Sequence, residues 1–205
     1  MIADSRPDRP LWVPDPARSA ATRMAAFTAH ARTVSGQALA SYAELHAWSV
    51  EQPEPFWTAI WDFCGVVGER GAGPALIDPD RMPGAQWFPQ ARLNFAENLL
   101  RDCGNPEALV FWGEDKVTRT LSRAELRRQV AQFAAALQEV GVGAGDRVAA
   151  YLPNLPETVV AMLATASLGA VFTSASPDFG VQGVLDRFGQ TEPKALIACD
   201  GYWYS

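Results

Sequence analysis

Few residues in this chain have the type and spacing to do chemistry, and most of those patterns resolve into structure. Gly141-Val142-Gly143-Ala144-Gly145-Asp146 has the glycine density of a dinucleotide fingerprint. That motif works only between a strand and a helix, where the pyrophosphate meets a helix N-terminus. Here the glycines follow a helical pattern and precede a strand, so they read as a helix stop and a turn. A phosphate-gripping loop needs glycines with Ser or Thr and a nearby lysine. Thr173-Ser174-Ala175-Ser176 comes nearest but has neither glycine nor lysine. It lies where a strand's carboxyl end should meet the next helix, the place where open α/β sheets bind ligands. Its plainer reading is polar capping of the helix after Pro177. His30 and His46 are not spaced as ligands of one metal and have no nucleophile partner, so they read as surface or packing residues. Cys64, Cys103 and Cys199 form an odd set without C-x-x-C spacing, which reads as buried thiols in a reducing compartment.

The elements that must position these residues change character halfway along. Residues 1–15 hold Pro7, Pro10 and Pro14 among charges and read as an extended arm. Asp15-Pro16 starts a helix that Gly36 ends. Ser41-x-x-Glu44 is a capping box for a second helix. A third, over 54–67, carries Phe56, Trp57, Ile60, Trp61 and Cys64 at helical spacing. Residues 68–91, rich in Gly and Pro, read as a long connection, and Asn94 caps a short helix through Leu100. From Ala108 a hairpin is expected over 108–121, turning at Gly113-Glu114-Asp115-Lys116. Ser122 and Glu125 then form a second capping box, with Leu121 and Leu126 as its hydrophobic staple. The buried stripe of that helix is Leu126, Val130, Phe133, Leu137 and Val140. Strands at 147–152, 170–174 and 195–199 alternate with helices from Asn154 to Leu168 and around 181–188. This order implies a parallel sheet with right-handed crossovers. No internal repeat or low-complexity tract is visible.

The chain has 205 residues, 48% apolar and 20% charged, enough for one good core or two small ones. A formal charge of −6 disfavours nucleic acid or an anionic membrane as partner. No run of about 18 apolar residues exists to span a membrane, and the first ten residues lack an apolar signal core. The expected location is cytoplasmic. Of seven tryptophans, Trp12, Trp57, Trp61 and Trp87 crowd the first half. No basic residues interleave with them as on an RNA surface, so core packing of a helical arm onto the sheet is expected.

Four segments carry a resemblance. Trp87-Phe88-Pro89-Gln90-Ala91-Arg92-Leu93-Asn94-Phe95-Ala96-Glu97-Asn98-Leu99-Leu100-Arg101 resembles the linker-and-helix signature of short-chain acyl-CoA synthetases, the adenylate-forming ligases. Asp146-Arg147-Val148-Ala149-Ala150-Tyr151-Leu152-Pro153-Asn154-Leu155-Pro156-Glu157 is similar to the shared early core of that superfamily. Residues 56–70 and 176–190 resemble the acetoacetyl-CoA synthetase branch.

The resemblance implies an α/β fold: a helical N-terminal arm, then the first part of the large domain of an adenylate-forming enzyme, truncated. The implied divisions are an arm over 1–15, an acetyl-CoA synthetase-type helical region over 16–105, and the start of an AMP-binding domain over 106–205. The implied reaction joins acetoacetate to CoA at the expense of ATP, with Mg2+ offsetting phosphate charge. The phosphate loop, hinge and late lysine of such enzymes have no counterpart here. No catalytic residue and no metal ligand is therefore expected, and the chain alone should be inactive. One contact is implied, CoA adenine beside Phe172, Thr173 and Ser174. The arginine that relatives place near position 203 for a CoA phosphate is Trp203 here, so CoA binding should be weak. An uncovered sheet edge suggests self-association. The alternatives are a ligase segment for acetate or another short acid, and a non-catalytic binding module.

Overall fold

The computed structural model describes residues 12–102, 106–114 and 117–202. The chain falls into two compact units, Met1–Arg92 and Leu93–Ser205.

The first unit is helical. Asp15 caps α1 (Pro16–Ala20) by accepting the Arg18 N–H at 3.0 Å, with Pro16 in the first turn. The single helix expected up to Gly36 is interrupted. Thr22 leaves the helical conformation, donates its hydroxyl to the Ser19 carbonyl at 2.8 Å and caps α2 (Arg23–Ser35) through the Ala25 N–H at 3.2 Å. A side chain that competes for backbone groups breaks the run there. Gly36 does end α2, at φ +68°. Ser41 and Glu44 form the expected capping box of α3 (Tyr42–Glu51). α4 (Pro53–Cys64) stops short of residue 67, because Gly65 takes the left-handed conformation.

The 68–91 connection contains a two-residue antiparallel ladder, β1 (Leu76–Ile77) with β2 (Gln86–Trp87). The core gathers Phe27, Ala31, Leu39, Leu45, Trp48 and Ala59. The tryptophans expected to build the core are not its centre. Trp12 is 71% exposed, while Trp57 packs edge-on against Trp87 and Trp61 against Phe88 at the unit's rim. Trp48, 2% exposed, is the buried one among the described tryptophans. Cys64, expected buried, is exposed: it follows Phe63 at the end of α4, off the face that packs. Cys199 is half-buried, and Cys103 lies outside the described residues.

The second unit begins with α5 (Phe95–Leu100). Asn94 caps it through the Glu97 N–H and donates its amide to the Ala166 and Ser167 carbonyls at 3.0 and 3.1 Å. β3 (Glu107–Gly113) and β4 (Val117–Ser122) form the expected antiparallel hairpin; Asp115 and Lys116 of its turn lie outside the described residues. Ser122 and Glu125 make the capping box of α6 (Arg123–Glu139). Leu126, Val130 and Leu137 are buried and Phe133 partly so. Val140 is not: as the residue that closes the helix it is 64% exposed. Gly141 follows at φ +83°.

β5 (Arg147–Tyr151), α7 (Pro156–Ser167), β6 (Val171–Ala175), α8 (Val181–Thr191) and β7 (Ala195–Ala198) complete the unit. The strands form a three-stranded parallel sheet in the order β6-β5-β7. Central β5 is paired on both sides, and Val148, Ala149 and Ala150 are fully buried, as a strand covered on both faces must be. Val148 faces the core of α6 and α7, while Ala149 joins Ala175 and Phe188 beneath α8. No helix of the described residues is long and apolar enough to cross a membrane.

Candidate functional site at the carboxyl ends of the sheet

The alternation of strand and helix brings three chain segments to one end of the sheet, where β5, β6 and β7 finish. Tyr151 is the last residue of β5. Its hydroxyl lies 2.6 Å from the Pro177 carbonyl oxygen and 2.7 Å from that of Phe179, in the loop between β6 and α8. Asp178, between them, accepts the Ser176 hydroxyl at 2.7 Å and the Tyr202 hydroxyl at 2.9 Å. Tyr202 follows β7. The three strand exits are thus tied together by two tyrosine hydroxyls and one carboxylate. The Arg187 guanidinium lies 3.9 Å above the Phe179 ring and donates to the Gly183 carbonyl at 2.9 Å.

Beside this crevice is a cleft of about 720 Å³. The hairpin supplies Phe111, Trp112 and Val117, the β5–α7 connection supplies 153–155, and the exit of β7 supplies 200–202. Arg119 on β4 holds the hairpin to the start of α7, with Nη2 at 2.6 and 2.7 Å from the two carboxylate oxygens of Glu157. Glu114 and Asp200 are the charged residues of its lining.

Phe172, Thr173 and Ser174 lie within β6, paired with Val148, Ala149 and Ala150. They occupy an edge strand, and its carboxyl end comes one residue later at Ala175. Ser176 does not cap the following helix. It closes a turn with Asp178, while Gly180 stands at the N-cap of α8 without a side-chain bond. Trp203 lies outside the described residues. Sequence reasoning passed over Tyr151, Asp178 and Tyr202. Ser176-x-Asp178 is a turn signature that could have flagged one of them. The tyrosines carried no local signal, because their partners are 26 and 24 residues away.

The glycine-rich segment is the turn its context implied, at the amino end of β5. Asp146 accepts the Gly143 N–H at 2.8 Å and the Lys194 ammonium at 2.9 Å, and Lys194 also reaches the Gly141 carbonyl. The Lys194 hydrogen bond, then that of Gly143, holds the Asp146 carboxyl below the usual range. His30 packs against Phe63 and Phe27 with ring centroids 5.6 and 6.5 Å away, and His46 lies 6.4 Å from Tyr42. Among the described residues no cluster of three or more His, Cys, Asp or Glu could hold a metal ion.

The AMP-binding enzyme family matches residues 95–203, and the acetyl-coenzyme A synthetase N-terminus family matches residues 42–99. An acetoacetyl-coenzyme A synthetase of Rhizobium meliloti (strain 1021) is 55% identical over 198 residues, 97% of this chain and 30% of that protein. An acetoacetyl-CoA synthetase of Xenopus tropicalis is 42% identical, over 95% of this chain and 29% of its own length. The solved acetoacetyl-CoA synthetase of Streptomyces lividans superposes with a TM-score of 0.89 at 48% identity, covering 96% of this chain and 31% of that one. The chain therefore spans about 30% of the length of the relatives it matches.

Proposed function

This chain belongs to the AMP-binding enzyme family, and from that premise we propose that it is the amino-terminal part of an AMP-forming acetoacetate–CoA ligase. The observation that carries the reading is 55% identity along 97% of the chain to an acetoacetyl-coenzyme A synthetase. In such a ligase acetoacetate attacks ATP to give acetoacetyl-AMP and pyrophosphate, and the CoA thiol then displaces AMP. The described residues assemble no metal-binding cluster, so the Mg2+ that assists such chemistry is assigned no ligand here.

The part given to this segment is scaffolding at the carboxyl ends of β5, β6 and β7. The CoA adenine lies beside Phe172, Thr173 and Ser174. Support comes from their place on an edge strand next to the crevice where parallel α/β sheets take ligands. The domain division is proposed at 105/106, with the AMP-binding domain beginning at the hairpin. A cytoplasmic location fits the three unpatterned cysteines. Standing alone, the segment associates with further copies through β6 and β7, the edge strands of the three-stranded sheet.

The test is a hybrid in which these residues replace the matching segment of the Rhizobium meliloti protein. Formation of acetoacetyl-CoA and AMP that depends on acetoacetate, ATP and CoA supports the reading. A folded hybrid without ligase activity, beside an active parent, overturns it.

A further inference from the structure

Tyr151 stands out because of what it meets. Its ring lies on the α8 face of the sheet, packed against the small cluster of Ala149, Ala175 and Phe188. Its hydroxyl is at hydrogen-bonding distance from two carbonyl oxygens, 2.6 Å from Pro177 and 2.7 Å from Phe179. A phenol has one hydrogen to donate. Two main-chain carbonyls two residues apart therefore converge on one donor. Without it, their negative ends would face each other, the Phe179 carbonyl left to solvent and the part-buried Pro177 carbonyl losing its donor. The loop is also tied by a turn bond from the Phe179 N–H to the Ser176 carbonyl at 3.1 Å, by the Asp178 N–H on the Ser176 hydroxyl at 3.4 Å, by the hydroxyl contacts of the Asp178 carboxylate and by Arg187 over the Phe179 ring. Those bonds are local to residues 176–187 or reach a side chain; the Tyr151 contact ties the loop's main chain to the central strand.

We infer that Tyr151 is the positioning residue of this crevice: its single hydroxyl proton, shared by two convergent carbonyls, sets the 176–180 loop in the shape that receives a ligand. The inference rests on the reading above that CoA adenine lies beside 172–174, directly before this loop. Tyr151 acts through the loop, so its removal should affect the ligand at the strand ends and leave chemistry elsewhere alone.

Tyr151→Phe keeps the ring and its packing and removes only the donor. In the 205-residue chain, amides of 176–180 should exchange with solvent at least about tenfold faster, while those of β5 and α7 keep their protection. NMR shift changes at 172–174 in millimolar CoA should weaken. In the hybrid ligase, KM for CoA should rise about tenfold, with kcat and KM for ATP within about twofold. Unchanged loop exchange overturns the inference, as does faster exchange throughout the sheet, which marks a general loss of stability. A fall in kcat at constant KM for CoA overturns it too. An inactive unmutated hybrid counts against the ligase reading alone, since the exchange measurement still decides whether Tyr151 positions the loop.

Discussion

Asn94 and Asp146 show which kinds of residue contact a sequence reveals. Each caps a local feature, and that half of its work is visible in the spacing: Asn94 three residues before Glu97, Asp146 three residues after Gly143. The other half is remote. The Asn94 amide bonds carbonyls 72 and 73 residues away, and Lys194 reaches Asp146 across 48. Asn94→Ala should therefore cost more than an ordinary cap, about 2 kcal/mol against a typical value near 1. Urea unfolding should show it as a lower midpoint at unchanged slope. Asn94→Asp keeps the cap but sets a carboxylate against the Ala166 and Ser167 carbonyls, so it should not recover the loss. Asp146 makes a prediction in pH. Its carboxyl is held below the ordinary aspartate value of 3.8 by Lys194 and Gly143. The charged form is thus favoured in the folded chain, and its stabilisation is fully present above the unfolded pKa. It is lost as pH falls through the depressed folded value. The gap in melting temperature between the natural chain and Asp146→Asn should be constant above about pH 5 and close on acidification below about pH 4. A gap that widens in acid would contradict the assignment.

At the scale of elements, helices with strong caps were legible because capping is local, and Ser41–Glu44 and Ser122–Glu125 form the boxes their spacing implies. The break at Thr22 was not. Thr22 sits within a good helical pattern, and only its bonds to Ser19 and Ala25 divide the run. The ladder of β1 and β2 was equally hidden, since two residues cannot show a period of two. The strands of the sheet were legible from composition, yet which strand is central was not: β5 precedes both partners in sequence. That order leaves β6 and β7 at the edges. Val171 and Leu196 on them are 52% and 60% exposed, and Val181 and Leu185 on α8 are 78% and 60% exposed. Unpaired edges beside exposed aliphatic side chains favour strand-to-strand association. The 205-residue chain should sediment as a concentration-dependent mixture that binds a dye for apolar surface. Leu196→Lys together with Leu185→Glu should shift it towards monomer. A natural chain that is already monomeric at all concentrations would remove the edge from consideration.

For the whole molecule, the question is what the described residues can do with ATP. Adenylation needs groups that hold and neutralise a triphosphate while its α-phosphorus is attacked. Among the described residues, neither the cleft beneath the hairpin nor the crevice at the strand ends offers them. The cleft carries Glu114 and Asp200 in its lining, and the crevice presents the Asp178 carboxylate. The nearby cation, Arg187, is turned onto the Phe179 ring and the Gly183 carbonyl. A formal charge of −6 on the chain supplies no net attraction for a polyphosphate. The resemblance to acyl-CoA synthetases was readable from a few segments because local sequence carries parentage. The ties at the strand ends were not readable, because Tyr151 and Tyr202 meet partners 26 and 24 residues away. Acetoacetate-driven exchange of pyrophosphate into ATP should therefore stay at the no-protein rate for the purified 205-residue chain. In the hybrid with the Rhizobium meliloti protein it should rise well above that rate. Exchange by the chain alone, proportional to protein and dependent on acetoacetate, would mean that these residues hold a triphosphate after all, and would move them from scaffold to catalyst.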